Sequence, residues 1–100
     1  MIIRVVPEAR RELQDAADLY EKQQSGLGRR LWQETDEHIA WIAQHGEVPR
    51  LRFGGYRRVN LRIFPYYIAY IVRGNVLWIL AIAHSHRRPD YWIDRKQMIG

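Results

Sequence analysis

Val76-Leu77-Trp78-Ile79-Leu80-Ala81-Ile82-Ala83 is an unbroken run of eight apolar residues. A half-exposed strand alternates apolar and polar residues, and a helix of this length would leave one side polar. This run does neither, so it reads as a strand buried on both faces, at the centre of a sheet. At its end the chemistry changes abruptly to His84-Ser85-His86-Arg87-Arg88-Pro89-Asp90-Tyr91-Trp92. Two imidazoles, two guanidiniums, a carboxylate and two aromatic rings are thus delivered to the rim of a rigid element, a common way to build a site.

The rest of the chain supplies the neighbours such a strand requires. Ile2 to Val6 is a short β-branched run, stopped by Pro7, which suits the first turn of a helix. Ala9, Leu13, Ala16 or Ala17, and Tyr20 recur at three to four residues, predicting a helix from Pro7 to Gln24 with Glu8 and Glu12 near its positive end. Ser25-Gly26 breaks it. Leu27, Leu31, Thr35, His38 or Ile39, and Ile42 then define a second helix, stopped at Gly46 and flanked by Trp32 and Trp41, which read mainly as packing residues. After the Gly54-Gly55 turn, Val59, Leu61 and Ile63 alternate with Arg58, Asn60 and Arg62, as in a strand with one open face. Tyr66 to Val72 forms the next strand, and the turn at Arg73-Gly74-Asn75 returns the chain into the apolar run. Pro89 to Gln97 forms a short helix or an irregular tail.

The expected fold is therefore α+β, in the order β-α-α-β-β-β, as one domain over residues 1–100. The last three strands form an antiparallel meander, and the helical hairpin covers one sheet face. The other face is expected to lie open, lined by arginines.

Charge is distributed unevenly. Residues 1–49 carry six Lys/Arg and nine Asp/Glu, whereas residues 50–100 carry ten Lys/Arg and two Asp/Glu, so the second half holds all of the +5 net charge. Nine of those ten cations are arginine, the side chain suited to bidentate contact with phosphate or carboxylate. A polyanionic partner follows, either nucleic acid or an acidic protein segment. The absence of cysteine excludes disulfides and thiolate metal sites. No apolar run is long enough to span a bilayer and no signal peptide precedes the first strand, so a soluble cytoplasmic protein is expected.

His84 and His86, two residues apart, project to the same side of an extended strand. Asp90 is the only nearby carboxylate, so no metal and no cofactor is expected there. As general acid and base the two imidazoles could cleave RNA, with Arg87 and Arg88 stabilising phosphate charge and Arg62 or Arg57 joining them. The alternative is structural: one histidine bonds at the strand end and the other is solvated. Tyr91 and Trp92 either stack on bases or pin the tail to the sheet.

Three segments together resemble the RelE/ParE superfamily of type II toxin–antitoxin toxins. They are Pro7-Glu8-Ala9 opening a charged helix; Tyr56-Arg57-Arg58 followed by Tyr67-Ile68-Ala69-Tyr70-Ile71-Val72; and Ile79 to His84 followed by Arg87-Arg88-Pro89 and Tyr91-Trp92. The resemblance implies a basic toxin silenced by a cognate antitoxin that lays an amphipathic segment over it. It also implies plasmid stabilisation and either a homodimer or a hetero-oligomer with the antitoxin. RelE-like members cleave messenger RNA on the ribosome, using basic residues on the open sheet and a tyrosine or histidine near the C-terminus. ParE-like members inhibit DNA gyrase. Here Asn60 stands at the lysine position of the second strand of the family pattern, Tyr67 at the arginine position of the third strand, and His86 at the arginine position after the last strand. The resemblance is therefore closer to ParE-like members, with gyrase as target. Arg57, Arg58, Asn60, Arg62, Arg87, Arg88 and Trp92 are the expected partner contacts. The alternatives are a metal-independent, ribosome-dependent endoribonuclease using His84, His86, Arg87, Arg88 and Tyr91, and a non-toxic relative that only binds its partner.

Overall fold

The computed structural model describes residues 1–99, apart from the side chain of Met98. The chain runs β1 (Ile2–Val5), α1 (Pro7–Gln23), α2 (Leu27–His45), β2 (Arg57–Asn60), β3 (Tyr66–Arg73) and β4 (Val76–His84), then two 3-10 turns, Pro89–Tyr91 and Ile93–Met98. The four strands form one sheet in the order β1-β4-β3-β2, with β1 parallel to β4 and the other pairs antiparallel. The eight-residue apolar run is thus a central strand, flanked on both edges.

Turn and helix chemistry explain the connections. Gly74 adopts φ 59°, a left-handed conformation that β-branched residues avoid, and allows the tight return from β3 to β4. Between the helices, Glu21 accepts the backbone N–H groups of Gly26 and Gly28, both at 2.9 Å. These two bonds satisfy donors that the start of α2 leaves free, and they hold the Glu21 carboxyl below its ordinary pKa. Gly28 allows the close approach of the helices, since a Cβ there would lie 2.6 Å from the Ala17 carbonyl oxygen.

One sheet face packs on the helical hairpin. Ala9, Leu13, Ala16 and Ala17 of α1 and Leu31, Thr35 and Ile42 of α2 are buried against it. Ile68, Tyr70, Leu77 and Ile79 point this way; the Tyr70 hydroxyl donates to the Gly46 carbonyl at 2.8 Å, just past α2. Tyr67, Ala69, Ile71, Ala81 and Ala83 point to the opposite face and are also buried.

That second burial corrects the expectation of an open face. The C-terminal turns fold back over it. Trp92 is fully buried; its indole N–H donates to the Tyr67 hydroxyl at 2.9 Å, and its ring meets Tyr56 edge-on at 4.8 Å. Arg73 donates to the Ile99 carbonyl at 3.0 Å, fixing the far end of the segment.

β4 also contains a bulge. Ala69 faces Ala81 but Tyr70 faces Ile79, so Leu80 has no partner on β3. β1 ends opposite Ile79, leaving the outer edge of β4 uncovered beyond it. A side-chain pair completes that edge. Glu12 of α1 accepts the Ile82 N–H at 3.1 Å, and Arg95 donates to the Leu80 carbonyl at 2.9 Å. The two side chains join each other through two 3.0 Å contacts. Glu12 therefore reaches the sheet, a role that its place on a charged helix did not suggest.

Candidate functional site

The polar junction begins where β4 ends. The Ser85 N–H donates to the Pro65 carbonyl at 2.8 Å and the Arg87 N–H to the His84 carbonyl at 2.9 Å, turning the chain sharply out of the sheet. His84 and His86 are brought together by this turn, not by a continuing strand. Their ring centroids are 5.4 Å apart, and the His86 N–H donates to His84 Nδ1 at 3.3 Å. Nδ1 of His84 is thereby an acceptor, so the neutral ring carries its proton on Nε2.

A row of aromatic rings supports the pair. His84 lies edge-on to Tyr66 at 5.4 Å, Tyr66 to Tyr20 at 6.3 Å, and Tyr20 to Phe64 at 4.9 Å. Tyr66 pairs with His84 across β3 and β4, and Tyr20 belongs to α1, so this cluster stands on the helical side of the sheet. A cleft of about 270 Å³ opens beside it, lined among others by Glu12, Asp15, Tyr66, His84, Arg87 and Tyr91.

Arg87 and Arg88 are exposed. The Arg87 guanidinium lies over the Tyr91 ring at 4.0 Å. Burial pushes the Tyr91 phenol well above its ordinary pKa, and the Glu12 carboxylate adds to the effect. Near neutral pH Tyr91 is therefore a neutral hydrogen-bonding group. The Tyr67 phenol is also raised, again chiefly by burial, and its hydroxyl donates to the Arg87 carbonyl at 3.2 Å.

The remaining expected contact residues are divided among separate surfaces. Arg57 points to the helical side and donates to the carbonyls of Glu47 and Pro49, tying down the α2–β2 connection. Arg58 points to the opposite side, lies over the Tyr67 ring at 4.0 Å and donates to Asn60 Oδ1 at 2.8 Å. Arg62 does not continue the strand. Glu34, only 7% exposed, reaches from α2 to accept the backbone N–H groups of Arg62 and Ile63 and draws the chain away after Asn60. The expected alternation of Val59, Leu61 and Ile63 fails at this point: Leu61 is buried but Ile63 is 61% exposed. Arg62 instead borders a polar cleft with Arg30, Gln33, Glu37 and His38. Trp92 is a core side chain, and its burial leaves no surface for a partner.

The arrangement offers a cationic, imidazole-bearing rim on the α1 side and a guanidinium–amide pair at the β2 edge on the other. Among the described residues no group of three His, Asp or Glu side chains is placed to hold a metal ion. None of the helices is long and apolar enough to cross a membrane. Of three residues central to this geometry, Glu34 and Arg95 were not singled out by sequence reasoning, and Glu12 was read only as favoured by the helix dipole. A carboxylate lying between apolar positions of a helix stripe, as both glutamates do, is the one available signal.

Comparison with known proteins agrees with this architecture. Among curated proteins no sequence relative matches. A solved structure described as the chromosomal ParDE TA system from P. aeruginosa is similar, with a TM-score of 0.64 at 18% identity, covering 84% of this chain and 95% of that one. At that identity the likeness establishes the fold. The family profile described as ParE toxin of type II toxin-antitoxin system, parDE, matches residues 3–89. With most of its length matched, the chain belongs to the ParE toxin family.

Proposed function

We propose that this protein is a cytoplasmic toxin that inhibits DNA gyrase and is neutralised by a cognate antitoxin with an acidic toxin-binding segment. One observation carries the choice of gyrase over RNA. The strand cations expected to join the His84, His86, Arg87 and Arg88 cluster do not reach it: Arg57 ties down the α2–β2 connection, Arg62 borders a separate cleft and Arg58 lies on the opposite face. His84 stands with Tyr66 and α1, whereas Arg58 and Asn60 stand with Tyr67 on the opposite face, which the C-terminal segment covers. General acid–base catalysis requires the imidazole and the phosphate-binding cations to reach one scissile bond. Family membership supports the same reading, and exposed Arg87 and Arg88 suit an acidic partner.

A second reading retains some support. The His84–His86 pair beside Arg87 and Arg88 has the composition of a small acid–base site, which favours a ribosome-dependent endoribonuclease. Two assays on the purified chain separate the readings: supercoiling by gyrase, and integrity of messenger RNA on translating ribosomes. Inhibited supercoiling with intact RNA is expected. Cleaved RNA with unimpaired gyrase overturns the proposal, and normal growth at high soluble expression identifies a non-toxic relative. Co-expression with a neighbouring short acidic reading frame should restore growth.

A further inference from the structure

The fixed arginines of the second half are mostly held through their N–H groups. Arg57 donates to the carbonyls of Glu47 and Pro49, Arg58 to Asn60, Arg73 to Ile99, and Arg95 to Glu12 and Leu80. A guanidinium engaged in this way has fewer donors left for a partner. Arg87 is held differently. Its backbone N–H donates to the His84 carbonyl at 2.9 Å, its carbonyl accepts the Tyr67 hydroxyl at 3.2 Å, and its guanidinium lies over the Tyr91 ring at 4.0 Å. Stacking engages the face of a guanidinium, whereas hydrogen bonds to an oxyanion leave from its edge. The side chain is exposed, and among the described residues no carboxylate pairs with it. Neighbouring Arg88 is equally exposed but lies over no ring.

Tyr91 is itself anchored. It closes the turn Pro89–Tyr91, and the next residue, Trp92, is fully buried. The Arg95 guanidinium, tied to Glu12 and Leu80, lies 5.5 Å from the Tyr91 ring centroid. The Tyr67 hydroxyl accepts the Trp92 indole N–H and donates to the Arg87 carbonyl, so one hydroxyl ties the two segments together. We propose that Tyr91 is a positioning residue: its ring holds the Arg87 guanidinium in place with the N–H groups free, so that Arg87, more than Arg88, makes the cationic contact of this rim with the target. Fixing a long side chain before binding removes an entropy cost that Arg88 must meet on binding.

This role rests on gyrase being the target, and the experiment separates the two claims. Supercoiling inhibition and antitoxin affinity would be measured for wild type, Arg87→Ala, Arg88→Ala, Tyr91→Phe, Tyr91→Leu and the combination of Arg87→Ala with Tyr91→Leu. Arg87→Ala is expected to lose about tenfold or more in inhibition, and Arg88→Ala less. Tyr91→Leu should lose about two- to fivefold, the size of an exposed cation–π contact, while Tyr91→Phe, which keeps the ring, should stay within about twofold of wild type. Because Tyr91 acts through Arg87, Tyr91→Leu should add no loss in the Arg87→Ala background. That comparison is decisive even where Tyr91→Leu lowers the melting temperature, since additive losses would reveal a structural role and overturn the proposal. The Arg87 Nε–H resonance, shifted by the ring in wild type, should move toward that of a free arginine in Tyr91→Leu. An unmoved resonance, full inhibition by Tyr91→Leu, a greater loss from Arg88→Ala than from Arg87→Ala, or a loss confined to antitoxin affinity overturns the proposal while leaving the gyrase reading intact. A wild-type protein that leaves gyrase unaffected removes both.

Discussion

The two faces of the sheet are covered by different means. The hairpin face is closed by long helices, whose alanines and leucines repeat every three to four residues against Ile68, Tyr70, Leu77 and Ile79. The opposite face is closed by short 3-10 turns with few anchors: Trp92 on Tyr67, Arg95 on Glu12 and Leu80, and Ile99 on Arg73. The first cover is distributed over many apolar contacts. The second depends on individual attachments, each of which a single substitution removes. Both bury their face of the sheet, so a central strand requires two covers but not two covers of the same kind.

Substitutions test how far this contrast extends. Trp92→Ala should have the largest effect, about 3–5 kcal/mol in denaturant unfolding, because it removes a fully buried indole. A loss below about 1 kcal/mol would show that the C-terminal cover is a loose flap. Leu31→Ala on the hairpin side should cost about 2–5 kcal/mol and should speed amide exchange throughout the sheet. Exchange confined to α2 would break the idea that this cover acts as a unit. Glu12→Gln removes the charge that Arg95 and the Ile82 N–H share and should cost about 2 kcal/mol. Its mark is local: amides after Pro89 should exchange faster while α2 stays protected. The smallest stability effect is expected from Arg87→Ala combined with Arg88→Ala, within about 0.5 kcal/mol, because both side chains are exposed. Under the proposed function that double variant should lose toxicity, measured as growth after induction; full toxicity would remove these arginines from the contact surface.

The same contrast explains what could be read from the amino acids. β4 and the two helices were legible because burial on both faces leaves an unbroken apolar run and burial along one stripe leaves a period of three to four residues. The closing of the second face was not legible, since one tryptophan and one arginine in an irregular segment have no period. Arg62 was misplaced for a related reason. The apolar–polar alternation continues in the sequence past Asn60, but Glu34, distant along the chain, bends the backbone there. In the candidate site, the clustering of His84, His86, Arg87 and Arg88 was legible from adjacency. Their separation from Arg58 and Asn60 was not, because it depends on which face each strand residue takes.

That face is decided at Leu80. Side-chain direction in a strand is a matter of parity, and the unpaired residue in β4 reverses the count. Leu77 and Ile79 share a face with Ile82 and His84 only because one surplus residue lies between the two pairs. Deleting Leu80 would remove the bulge and leave His84 on the helical side, whereas the same residues in an unbulged strand would deliver His84 to the side covered by Trp92. Two relatives with the same closing residues and strands differing by one position would thus present that motif alike where the longer strand carries the bulge, and differently where it does not. Among such chains the length of the apolar run taken together with the bulge, more than the identity of the histidines, would indicate which ones place the motif alike.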